Sequence, residues 1–114
     1  MSRTFHLSNS ILIETILSDQ KPKLKDLLTE LLTKVAGNWE NIGIMLEIEE
    51  GRLNRIKADR GNDSASCLRE MLQIWLSRID PSPTWSAMAE TIESLGKTEL
   101  ARDLRTKYCT DALD

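Results

Sequence analysis

The chain has 114 residues, 40% of them hydrophobic and 29% charged. That balance excludes a disordered or fibrous polypeptide and fits one domain built around one core. A net charge of −3 removes the broad positive field that phosphate backbones require, so nucleic acid is a poor partner.

Residues 1–20 mix polar and apolar positions and read as an N-terminal extension. Their densest apolar run, residues 11–17, is about a third of the roughly 20 residues a membrane-spanning helix needs, and it contains Glu14. No membrane insertion is expected. Residues 1–10 carry one arginine and no sustained apolar stretch before a cleavage site, so no secretory signal is expected and a reducing, cytoplasmic location is. The run at 11–17 reads equally as a short helix, with Ile13, Ile16 and Leu17 on one face, or as an arm covering a groove.

From Leu24 the spacing predicts a helix with Leu24, Leu27, Leu28, Leu31, Leu32 and Val35 on one face and Lys25, Asp26, Glu30 and Lys34 on the other. Gly37 supplies a stop, and Asn38 an N-cap for a second helix striped by Trp39, Ile42, Gly43 and Leu46. Gly43 inside that helix costs about 1 kcal/mol against alanine, which is reasonable if another helix must approach closely there. Ile48 closes the turn into a third helix. Glu49 and Glu50 favour its positive end, and Leu53 and Ile56 face inward until Gly61. Asp63 or Ser64 caps a fourth helix, whose stripe is Leu68, Met71, Leu72, Trp75, Leu76 and Ile79.

Pro81 and Pro83 force a corner. Thr84 then caps a fifth helix with Trp85, Met88, Ala89, Ile92 and Leu95 inward and Gly96 as its stop. Thr98 caps a sixth, with Leu100, Ala101, Leu104 and Tyr108 inward. The expected organisation is an extension at 1–20, one domain at 21–110 and a tail at 111–114. Short connections make it an all-α bundle.

Few residues invite chemistry. Trp39, Trp75, Trp85, Met71 and Met88 lie on apolar stripes and are expected to pack the core. His6 is the only histidine and has no neighbour at metal-ligand spacing. Cys67 belongs to a stripe and Cys109 to a helix end, so both are expected to be free thiols. No glycine-rich phosphate loop is present. Neither a catalytic site nor a cofactor is expected.

The order and spacing of these blocks resemble the death domain family across residues 24–109. The resemblance is carried by Trp39-x-x-Ile42-Gly43-x-x-Leu46, Leu53-x-x-Ile56 with Asp59, Cys67-Leu68-x-x-Met71-Leu72-x-x-Trp75, Thr84-Trp85-x-x-Met88-Ala89-x-x-Ile92, and Gly96 with Leu100-Ala101-x-x-Leu104. It implies a six-helix antiparallel Greek-key bundle that binds other death domains, self or hetero, and assembles effectors in apoptotic or innate immune signalling. Homo-oligomers are within its scope.

Association of that kind would rest on charged patches. The third helix carries Arg52, Arg55, Lys57 and Arg60, and the junction before it Glu47, Glu49 and Glu50. The plain reading pairs Glu49 with Arg52 and Arg55 with Asp59 along the helix. The sharper one makes the two patches opposite faces of a repeating contact. The resemblance adds Lys25, Glu30, Arg69 and Glu70 on helices one and four, and Asp80 and Ser82 against Lys97, Glu99 and Arg102. Two other readings stand beside it. Residues 39–59 could be a helix-turn-helix of a DNA-binding domain, or the domain could pack against the rest of a longer protein.

Overall fold

The apolar stripes close on one another as six α-helices in the computed structural model, which describes residues 21–109. They are α1 Leu24–Val35, α2 Trp39–Met45, α3 Glu50–Arg60, α4 Ser64–Leu76, α5 Trp85–Ser94 and α6 Thr98–Tyr108. A 3-10 turn, Ala36–Asn38, joins α1 to α2. Among the described residues there is no strand. The expectations placed on residues 1–20 and 110–114 lie outside the described residues.

Helix α4 sits at the centre, packed against α1, α2 and α3, while α5 and α6 pair with each other and α5 also meets α2. Its inward residues Cys67, Leu68, Met71 and Leu72 are fully buried, and Trp75 nearly so. Leu27, Leu31, Ile42, Ile56, Met88, Ile92 and Leu104 complete the core. Burying each aliphatic side chain contributes roughly 1.5–3 kcal/mol. All three tryptophans are buried, so they are core and not a ligand platform.

Gly43 provides the close approach expected of it. A Cβ there would lie 2.7 Å from Leu53 Cδ2 and 3.2 Å from Met71 Cγ, so its bare backbone lets α3 and α4 meet α2. Helix starts follow local chemistry. Asp63 accepts the Ser66 amide at 3.1 Å to open α4, and Thr84 Oγ1 accepts the Ala87 amide at 3.0 Å to open α5. Gly61 and Gly96 end their helices at φ of 60° and 88°, a conformation that glycine adopts without strain.

Three expectations are corrected. Gly37 does not stop the chain, which continues as the 3-10 turn through Asn38, and Asn38 makes no side-chain cap bond. Helix α4 ends at Leu76, before Ile79, because Ser77 turns its hydroxyl onto the Ile74 carbonyl at 2.7 Å. Ile79 is consequently 87% exposed. The cap position of α6 is Lys97, with Thr98 already inside the helix.

Candidate functional site

The acidic junction is a built turn. Glu47 holds φ at 64°, an uncommon conformation for a residue with a side chain, and three hydrogen bonds fix it there. The Glu47 amide donates to the Ile44 carbonyl at 3.0 Å and the Ile48 amide to the Gly43 carbonyl at 2.9 Å. From across the bundle, Arg78 Nη2 donates to the Glu47 carbonyl at 3.0 Å. Ile48 is drawn into the core. Glu47, Glu49 and Glu50 are left exposed around it.

The four cations of α3 divide into two kinds. Lys57 pairs with Glu40 of α2 at 3.4 Å, and Arg60 pairs with Glu70 of α4 at 2.8 Å. Arg52 and Arg55 are exposed and make no ion pair among the described residues. The expected pairs Glu49 with Arg52 and Arg55 with Asp59 therefore do not form. Helices α2 and α4 flank α3 and supply better-placed carboxylates to its later cations. Between α3 and α4 lies an open groove of about 510 Å³ lined by Glu49, Gly51, Arg52, Arg55, Ile56, Glu70 and Ile74.

On α1 and α4, Lys25 and Arg69 are exposed, while Glu70 is committed to Arg60. Glu30 is a correction. The stripe places it outward, yet it is 8% exposed and its carboxylate accepts from Tyr108 Oη at 2.8 Å and from Lys107 Nζ at 3.1 and 3.2 Å. Burial works against its charge. The hydrogen bonds from Tyr108 and Lys107 and the charges of Lys107 and Lys34 outweigh burial and hold its carboxyl below the usual range. Tyr108 also stacks on Trp85 with ring centroids 3.8 Å apart. Helices α1, α5 and α6 are thus clasped at one point, and Glu30 has no free carboxylate to offer a partner.

At the corner before α5, Asp80 and Ser82 are exposed, as are Lys97, Glu99 and Arg102 at the start of α6. Glu99 and Arg102 lie 3.7 Å apart. Neither Cys67 nor Cys109 forms a disulfide, and the Ser86 hydroxyl donates to Cys109 Sγ at 3.9 Å. Burial and the nearby Asp63 push the Cys67 thiol up, away from a reactive thiolate. Among the described residues, no helix is long and apolar enough to cross a membrane and no group of three or more metal-ligating side chains gathers.

The model of the family described as "Death domain" matches residues 22–108. The chain belongs to the death domain family. No curated protein and no solved structure matches it.

As a death domain, this bundle is a protein-interaction module on the all-α death fold, a family whose members act without a catalytic site. Its surface is fixed by Arg78, Glu40 and Lys107, which the sequence did not single out, and by Tyr108, which the sequence placed inward without a polar partner. Arg78 and Glu40 set the acidic turn and the tethered part of α3. Lys107 and Tyr108 take Glu30 out of solvent. Each acts across 17 to 78 positions of chain, which local spacing does not reveal.

Proposed function

We propose that this death domain associates with other death domains, including copies of itself, and scaffolds apoptotic or innate immune signalling complexes in the cytoplasm, as an adaptor or as one module of a larger protein. The observation that carries this reading is the pairing state of α3. Arg52 and Arg55 stand exposed without an ion partner among the described residues, and the fixed acidic turn of Glu47, Glu49 and Glu50 lies beside them. Opposite charges on adjoining faces of one rigid body favour a head-to-tail contact, in which one copy's arginines meet another's carboxylates and the contact repeats.

Lys25 and Arg69 form a second candidate surface, and Asp80 and Ser82 against Lys97, Glu99 and Arg102 a third. Lys57, Arg60 and Glu70 belong to the same region but are engaged internally, so their part is to shape it. Brought together on the surface, charged groups steer encounter and select partners, and the gain in local concentration of attached effectors is the output.

Sedimentation velocity across protein concentration and salt tests the reading. Arg52→Glu and Arg55→Glu should each reduce self-association or association with a partner death domain, with helical content and melting temperature unchanged. Association of both variants that matches the parent at every concentration sinks the assignment.

A further inference from the structure

Ile44 and Met45 close α2 with side chains 58% and 42% exposed, although Trp39 and Ile42 of the same helix are buried. The rest of that outer side is polar. Asn41 is exposed, and Glu40 is tied to Lys57 at 3.4 Å. The apolar part is therefore confined to the last turn of α2, next to the fixed turn at Glu47. Glu50 lines the hollow beside Ile44, together with Leu53 and Asn54. Ile44 and Met45 thus form an apolar knob with the Glu47 and Glu50 carboxylates at its rim.

A counterpart lies on the other side of α3. Glu50, Leu53 and Asn54 share one side of that helix, and Arg52, Arg55 and Ile56 share the opposite one, as the helical repeat requires. The groove of about 510 Å³ between α3 and α4 is lined there by buried Ile56, half-buried Ile74 and the exposed Arg52 and Arg55. One side of α3 presents an apolar knob among carboxylates, and the other an apolar floor between guanidinium groups. The two are complementary in charge and in hydropathy. They also point away from each other, so they meet neither within one copy nor across a two-fold axis. The contact that joins them is heterologous, from one copy to the next.

We infer that the knob of Ile44 and Met45 seats on Ile56 and Ile74 in the α3–α4 groove of a second copy. Glu47 and Glu50 of the first copy then face Arg52 and Arg55 of the second. This deepens the reading proposed above and rests on it, because the charged contact is the rim and the knob is its desolvated centre. Protein contacts draw most of their energy from a few central groups ringed by others that exclude water. Charge at the rim steers the encounter, and the knob sets how long the pair lasts.

Ile44→Gln and Met45→Gln test the knob without altering charge, since glutamine is a good helix former. In sedimentation velocity each should weaken self-association about tenfold, with the parent's helical content, melting temperature and salt dependence retained. Arg55→Glu should weaken it and flatten the salt dependence. Met45→Gln carries the test should Ile44→Gln lower helical content. Mixing then tests the geometry, because Ile44→Gln chains keep the groove and Arg55→Glu chains keep the knob. At a concentration where each alone is monomeric, their mixture should form a dimer that does not grow further. A mixture that stays monomeric overturns the inference. So does association of both glutamine variants that matches the parent, and if Arg55→Glu still weakens association in that case, the charged contact stands without the knob. A parent chain that binds another death domain but never itself overturns the inference and leaves the broader reading in place.

Discussion

The Tyr108 hydroxyl donates to the Glu30 carboxylate at 2.8 Å, joining the last turn of α6 to the middle of α1. A hydrogen bond to a charged, largely buried acceptor contributes about 1.5–3 kcal/mol. Tyr108→Phe keeps the ring that stacks on Trp85, so it isolates this bond. Chemical denaturation should show a loss of about that size, with the near-ultraviolet circular dichroism of Trp85 retained; unchanged stability would remove the bond from the clasp.

The clasp also dictates how stability varies with pH. Glu30 titrates below its ordinary value of 4.5 in the folded protein, so its contribution is fully present above 4.5 and disappears as pH falls through the lower native value. Tyr108 behaves in the opposite sense. Burial, its bond to Glu30 and the charges of Glu30 and Asp26 push it from 10.0 up to about 12, so its contribution persists below pH 10 and is lost as pH climbs toward 12. It is the only tyrosine. Tyrosinate absorbance should therefore show one midpoint near 12 when folded and one near 10 in denaturant.

The strained turn at Glu47 makes a prediction of opposite sign to most substitutions. Left-handed backbone costs a side-chain-bearing residue roughly 1–2 kcal/mol, and the added chain entropy of glycine costs about 0.5–1 kcal/mol. Glu47→Gly should raise stability by roughly 0.5–1 kcal/mol, whereas Glu47→Val should lower it. Thermal melts of the two variants that moved in the same direction would contradict this account.

Gly43 marks a tight junction in the core. Its Cβ would meet Leu53, itself 2% exposed, so the leucine cannot swing into solvent. Gly43→Val should destabilise by about 1–3 kcal/mol through overpacking, despite removing glycine from a helix. A companion Leu53→Ala, which opens the space, should restore part of that loss when both changes are combined, as a double-mutant cycle would measure.

Helical spacing carried the fold because each stripe repeats within a few residues, and the caps Asp63 and Thr84 are chosen by bonds that span three positions. The charged surface was less legible. Glu30 lies at the edge of the α1 stripe, where periodicity alone cannot choose between core and solvent, and the choice is made by Lys107 and Tyr108 more than seventy positions away. The internal pairing of Lys57 and Arg60 was hidden for the same reason. Nearest carboxylates in sequence are not nearest in space once α2 and α4 close on α3. Ile79 was misassigned because the Ser77 hydroxyl folds back onto the Ile74 carbonyl where the helix ends, a bond the periodic pattern does not register.

The split among the cations of α3 has a bearing on how such a domain diversifies. Lys57 and Arg60 are tied to neighbouring helices, and Arg52 and Arg55 are not. If Arg52 and Arg55 contact a partner as proposed, changes at the second pair alter which partner is recognised without disturbing the bundle, and changes at the first pair touch the architecture. A duplicated gene could thus drift toward a new binding specificity through one end of a single helix while the other end keeps the inherited shape.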